Sequence, residues 1–380
     1  MKKIVFAPDS FKESMTAKTA ADAMIRGWKT VFPDDECVAV PMADCGEGTV
    51  QSLVDATGGQ VLSAEVQGPL GEPVTAHYGM LGDGETAVIE MAQASGLERL
   101  RPEQRNPLIT STFGTGELIR AALDHGASRI IIGIGGSATN DGGTGMLEAL
   151  GARLTDAEGN ELPRGGAALS GLSRIDLSGL DARIATTEFI AACDVDNPLT
   201  GPKGASAIFG PQKGATPAMV AQLDAALANY AAVIRRDFSL EADCVEGAGA
   251  AGGLGAGLLA FLQAELKRGI DIVIEHTGLE AVLSDADLVL TGEGGIDAQT
   301  RFGKTPYGVA KTAKKYNLPV IAVAGNVKED SKELYEHGFD AMFSIVQGAC
   351  SLSDALKDGE KNLQTTTENV ARLYRIKNNS

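Results

Sequence analysis

Residues 129–145, R-I-I-I-G-I-G-G-S-A-T-N-D-G-G-T-G, constrain the fold of this chain more than any other stretch. They join a short, mostly β-branched run at 130–134 to a glycine-rich polar turn and then to the start of a helix. The run fits a strand buried in a parallel sheet. Gly133, Gly135, Gly136, Gly142, Gly143 and Gly145 free the backbone to approach a ligand. Between them, Ser137, Thr139, Asn140 and Asp141 supply hydroxyls, an amide and a carboxylate beside bare N–H groups. Such a turn can hold phosphate or carboxylate oxygens with no cation nearby. A plain strand-to-helix turn capped by Asp141 is the simpler alternative, but it needs fewer glycines.

A chain of 380 residues is long for one hydrophobic core, so two domains are expected. The N-terminal part reads as two βα units, with strands over 4–7 and 37–40 and helices over 16–32 and 49–56. From about residue 60 the texture changes. Strand-like runs at 61–66, 74–78 and 87–91 follow one another across glycine turns, as in a mixed or antiparallel sheet. The βα rhythm returns from residue 286, with strands at 287–290, 320–324 and 341–346. The expected fold class is therefore α/β with two domains. A parallel-sheet domain is built from both chain ends, 1–60 and 284–380, and an α/β domain with a mixed sheet is inserted over 61–283. The cleft between two such domains is the default place for a small ligand.

Charge and cysteine content narrow the partners. A formal charge of −17 argues against a nucleic acid or an anionic membrane, each of which wants a basic face. Five widely spaced cysteines without a C-x-x-C pair suit a reduced, cytoplasmic setting. The first apolar run ends at Asp9, too soon for a signal peptide, and no stretch reads as a membrane span. A G-x-G-x-x-G at Gly247, Gly249 and Gly252 follows no convincing strand, so close helix packing is the better account of it. Oligomeric state is left open, a homo-oligomer included.

In open α/β sheets, ligands collect at the carboxyl ends of strands, and here those ends are rich in acids. Asp9, Asp44 with Glu47, Asp141, Asp194 with Asp196, and Glu293 with Asp297 all fall there. One such acid is ordinarily a helix cap. Many of them beside glycine-rich loops suggest Mg²⁺ held together with phosphates, because Mg²⁺ binds through one or two carboxylates plus phosphate oxygens. Lys12, Lys213 and Lys304 lie in loops next to glycines or strand ends and could neutralise a transferring phosphoryl group. Gly303-Lys304-Thr305 mimics the end of a P-loop, but Ala298 stands where that motif needs glycine. No serine or cysteine motif accompanies His77, His125, His276 or His337, so a nucleophile triad has no support. The rival reading is a dinucleotide site. Gly133, Gly135 and Ala138 match a relaxed fingerprint with Asp156 downstream, which would make the chain an NAD(P)-dependent hydroxy-acid oxidoreductase. A non-enzymatic small-anion binder is a third possibility.

Five blocks in order carry a resemblance: A-P-D-S-F-K-E-S at 7–14, G-I-G-G-S-A-T-N-D-G-G at 133–143, A-C-D-V-D-N-P-L at 192–199, F-G-P-Q-K-G-A at 209–215, and T-G-E-G at 291–294 with Ile296-Asp297. Along nearly its whole length the chain resembles bacterial type I glycerate kinases. That resemblance implies ATP- and Mg²⁺-dependent phosphorylation of D-glycerate, usually at the 2-hydroxyl, with a flavodoxin-like first domain. On this reading Ser10, Lys12, Asp44 and Glu47 hold glycerate, and Gly135, Gly136 and Ser137 take its carboxylate or an ATP phosphate. Thr139, Asn140, Asp141, Gly142, Gly143, Glu293 and Lys304 serve the nucleotide. Asp194, with Asp196, holds Mg²⁺, and Asp194 or else Asp297 accepts the hydroxyl proton. Lys213 or Lys304 faces the phosphoryl group. Two positions depart from the family pattern: Cys45 replaces a glycine and Gly295 replaces an arginine.

Overall fold

The computed structural model describes residues 1–43 and 48–378. The chain divides into two compact units, Met1–Asp44 with Ile270–Ser380, and Cys45–Gly269. The expected changes of domain at 60/61 and 283/284 fall elsewhere, for identifiable reasons. The helix Thr49–Thr57 lies on the second unit's sheet, where Val50 and Val54 pack over Gly79 so closely that a Cβ there would meet both. The segment from Ile270 belongs to the first unit, since the Ile270 side chain fills the space above Gly308.

In the first unit, β1 (Lys3–Pro8), β2 (Glu36–Ala39), β11 (Leu288–Gly292), β13 (Val320–Ala324) and β15 (Ala341–Ser344) form one sheet in the order β2-β1-β11-β13-β15. Every pairing in it is parallel. Counted within the unit this is the order 2-1-3-4-5 of flavodoxin-like folds. The chain ends meet where Ile4 to Pro8 pair with Leu288 to Gly292. Ile4, Val5, Phe6, Val289 and Leu290 are all buried, because helices cover both faces of such a sheet. The helix Ala17–Lys29 puts Ala20, Ala23, Met24 and Trp28 on its buried face, and Trp28 stacks on Phe32. Gly27 lets the helix Gly359–Asn378 come close, since a Cβ there would strike the Gln364 carbonyl. A short parallel pair, β12 (Gly295–Ile296) with β14 (Asn326–Val327), continues beyond the carboxyl ends of β11 and β13.

The second unit contains β3 (Gln60–Gln67), β4 (Pro73–Met80), β5 (Thr86–Glu90), β6 (Arg129–Gly133), β9 (Glu188–Ala192) and β10 (Glu265–Lys267) in the order β10-β9-β6-β5-β4-β3. The four strands from β10 to β5 run parallel, whereas β3 and β4 are antiparallel, giving the expected mixed sheet. A small antiparallel pair, β7 (Arg153–Thr155) with β8 (Arg174–Asp176), lies outside it. The helix Pro217–Phe238 is long and apolar enough to span a membrane by length and composition, which the sequence reading did not anticipate. In the fold its Leu223, Ala226, Leu227, Tyr230 and Ile234 are buried in the unit's core.

The glycines at 247, 249 and 252 prove to be packing positions. Gly247 and Gly252 adopt φ of +83° and +72°, and a Cβ on Gly249 or Gly252 would run into the carbonyl of Pro198 or Thr139. The helix Ala250–Leu262 is accordingly broken near its start by left-handed residues at Ala251, Gly252 and Gly253.

Candidate active site

In the first unit, acids and lysines gather at the carboxyl ends of β1 and β11. Asp9 follows β1, is 6% exposed, and accepts hydrogen bonds from the Ser10 N–H (2.6 Å) and the Thr305 hydroxyl (2.5 Å). Thr305 opens the helix Thr305–Lys314, so Asp9 ties β1 to that helix start. Glu293 follows β11. Its Oε1 lies 3.4 Å from both Lys304 Nζ and the Thr300 hydroxyl. Burial pushes the Glu293 carboxyl up to about 7, with Asp9 adding to the shift and Lys304 opposing it. Asp297 caps the turn at Ala298–Phe302 and pairs with Lys328 at 2.9 Å, which holds its carboxyl below the usual range. Lys304 also donates to the Gly295 carbonyl (3.3 Å) and stands 3.9 Å from Asp297. The backbone at Phe11 and Lys12 runs past Gly294, within 4 Å of where a Cβ would sit. Asp9, Lys12, Glu293, Asp297 and Lys304 are thus neighbours. Asp44, Cys45 and Glu47 lie outside the described residues.

The second unit separates the glycine-rich stretch into an accessible tip and a buried base. Gly135 and Gly136 are exposed, and an added Cβ on Gly135 would meet nothing within 4 Å. The tip is pinned by Leu97 N–H donating to the Gly136 carbonyl (2.9 Å) and Ala138 N–H donating to Ser95 (2.9 Å). Behind it Thr139, Asn140 and Asp141 are wholly buried, and Gly142 and Gly143 take positive φ against Tyr230 and Leu254. Asp141 accepts from Thr112 N–H (2.8 Å), the Thr112 hydroxyl (2.9 Å), Gly143 N–H (3.3 Å) and Gly145 N–H (3.3 Å). Burial raises its pKa and those four bonds oppose the rise. It therefore braces the loop from inside. Thr139 Oγ1 and Asn140 Oδ1 are buried without partners among the described residues, a cost of roughly 1–3 kcal/mol each. These five base residues, expected at the nucleotide, are positioned as loop framework.

Lys213 is 1% exposed, and its ammonium donates to Ser137 Oγ (2.7 Å) and the Thr139 carbonyl (2.6 Å). Burial pushes it down to about 7, while Asp141 favours its charged form. Expected to face a phosphoryl group, it instead points into the loop. Asp194 and Asp196 are exposed beyond β9, and Asp194 Oδ1 accepts the Gly269 N–H at 3.0 Å. No group of three or more His, Cys, Asp or Glu side chains that could by itself hold a metal occurs among the described residues. Two exposed carboxylates still suit Mg²⁺ that arrives with phosphate oxygens.

Several partners were not foreseen. Glu90 ends the mostly apolar β5, is buried, and accepts the Val50 N–H (3.0 Å) near the start of the helix Thr49–Thr57. The rule that selected the other strand-end acids applies to it equally. Lys328, the partner of Asp297, carries no comparable signal in the sequence, and Thr305, the partner of Asp9, is marked only by the P-loop-like Gly303-Lys304-Thr305.

The chain matches the model of the glycerate kinase family over residues 4–375. It is 58% identical over 374 residues to a glycerate kinase of Bacillus subtilis (strain 168), covering 98% of each chain. It is 53% identical over 374 residues to the glycerate 2-kinase of Escherichia coli K12, again covering 98% of each. A crystal structure described as a glycerate kinase 2 from Salmonella typhimurium LT2 superposes with a TM-score of 0.91 at 53% identity, covering 100% of this chain and 99% of that one.

Proposed function

Because this chain belongs to the glycerate kinase family, we propose that it phosphorylates D-glycerate at the 2-hydroxyl with ATP as donor, giving 2-phospho-D-glycerate and ADP. The observation that carries this reading is the 53% identity, over 98% of both chains, with a protein named for that position of attack. Action in the cytoplasm belongs to the same proposal and rests on the five widely spaced cysteines.

In the reaction the 2-hydroxyl oxygen attacks the γ-phosphorus, the bond to the β–γ bridging oxygen breaks, and the hydroxyl proton must go to a base. Glu293 suits that task better than the acids first expected to do it. Asp194 is engaged with a backbone N–H, and Asp297 is held low by Lys328. Glu293, raised to about 7, can exchange a proton near neutrality. Lys304, beside it, supplies positive charge, and Ser10 and Lys12 lie on the loop after β1 where glycerate would be held. Asp44 and Glu47 belong to the same proposed glycerate site. Gly135, Gly136 and Ser137 offer an anion-holding tip. Mg²⁺, held by Asp194 and Asp196 with the ATP phosphates, would neutralise phosphate charge.

The test is an ADP-release assay with D-glycerate, ATP and Mg²⁺, followed by identification of the phosphoglycerate isomer. The expected result is ADP formed only with all three present and 2-phosphoglycerate as product. No ADP release, or an NAD(P)-linked absorbance change in its place, would overturn the proposal.

A further inference from the structure

Lys213 is the least explained charged group in the molecule. A lysine side chain is almost never fully buried unless paired, and this one is buried to 1% exposure inside an otherwise neutral loop base with Asp141. In its charged form, which Asp141 favours, the ammonium has only donors, so at 2.7 Å from Ser137 Oγ it occupies a lone pair of that oxygen. The serine hydroxyl is then left with its own proton to place. No acceptor for that proton occurs among the described residues. Ser137 is 6% exposed and directly follows Gly135 and Gly136, the open tip of the loop.

We infer that Lys213 is a positioning residue that turns the Ser137 O–H outward, making it a fixed donor for an anionic oxygen of a ligand seated at the Gly135–Gly136 tip. The second bond of Lys213, to the Thr139 carbonyl at 2.6 Å, fixes the ammonium itself. Asp141, braced by its own four donors, sits close enough to favour the charged form of the lysine. The chain thereby makes an oriented hydroxyl donor without exposing a cation. This matters because an exposed lysine would attract any anion, whereas an oriented hydroxyl directly after two glycines selects by geometry. The shared chemistry is an anionic oxygen, which the carboxylate of glycerate and a phosphate of ATP both present.

The inference rests on the kinase reading for its ligand, and a double-mutant cycle separates the two. Wild type, Ser137→Ala, Lys213→Met and the double variant are compared by steady-state kinetics, and by calorimetric binding of D-glycerate and of ATP with Mg²⁺. Ser137→Ala is expected to raise one of the two KM values about tenfold, with kcat changed less than threefold. A glycerate effect assigns the donor to the carboxylate, and an ATP effect assigns it to a phosphate. Lys213→Met is expected to reproduce the same shift in the same substrate, and the double variant to be no worse than either single one. Unchanged KM values in Ser137→Ala would overturn the inference, as would independent losses that multiply in the double variant. The alanine variant keeps the test valid should Lys213→Met fail to fold. If wild type released no ADP, the kinase reading would fall. Calorimetry would still decide the inference, with equal, non-additive loss of anion binding supporting it and any other pattern refuting it.

Discussion

At Glu293 a carboxyl raised to about 7 stands 3.4 Å from a lysine, and it should leave two separable marks. As a base it works only when ionised, so kcat is expected to rise with pH through about 7 and then level off. Glu293→Gln should lose that limb and about 10²- to 10⁴-fold in kcat, as read from pH–rate profiles. The effect on stability has the opposite slope. An unfolded glutamate titrates near the ordinary 4.5, so between there and about 7 the native state binds the extra proton. Stability from this group therefore falls as pH climbs through that window, and Glu293→Gln should flatten the fall in denaturant titrations. Lys213 works in the reverse sense. Unfolded it holds its proton to 10.5 and native only to about 7, so the unfolded state binds more protons between those values. Wild-type stability should gain with pH across that range relative to Lys213→Met, measured by melts at pH 7 and pH 10. Gly295 offers a contrasting case. An added Cβ there meets nothing within 4 Å and the backbone is not left-handed. Gly295→Arg, which restores the family's usual residue, is expected to shift Tm by less than about 2 °C.

Among the elements, the contact of the helices Ala17–Lys29 and Gly359–Asn378 depends on Gly27. Gly27→Ala should cost about 1–3 kcal/mol, because a Cβ would push the Gln364 carbonyl and force the helices apart. Urea titration of that variant against wild type checks it. The strands of both sheets were largely legible in the sequence, because runs such as Ile130 to Ile132 and Leu288 to Leu290 are apolar on both faces and are followed within two residues by glycine. The allegiance of the helix Thr49–Thr57 was not. Its apolar face, Val50, Leu53 and Val54, would suit either sheet, and the missing side chain of Gly79 in β4 together with the Val50 N–H donated to Glu90 in β5 decides the matter. The glycine-rich stretch was legible as a ligand loop but not in its division into tip and base. That division follows from Lys213, Tyr230 and Gly252, each 70 or more residues away in sequence. The acids at strand ends were visible as a class. Which of them braces and which titrates depended on partners such as Thr112 and Lys328, to which no spacing rule points.

For the whole molecule, the pairing of β1 with β11 has a consequence in time. Residues 3 to 6 pair on one side with 36 to 39, but on the other side residues 4 to 8 find their neighbours only at 288 to 292, while the strands β3 to β10 find theirs within Cys45–Gly269. Contacts that close long loops form late, and a chain leaving the ribosome offers its N-terminal segments first. The first strand made should therefore wait with one edge unpaired until most of the chain has emerged, while the inserted unit gathers its own core. In pulsed hydrogen exchange during refolding, amides of Ile130 to Ile132 are expected to gain protection before those of Ile4 to Phe6. Simultaneous protection would show that the two units fold as one. The N-terminal strand of this protein would then be its last piece to be finished, and the stage most open to capture by chaperones or to aggregation would come while the β11-facing edge of β1 is still open.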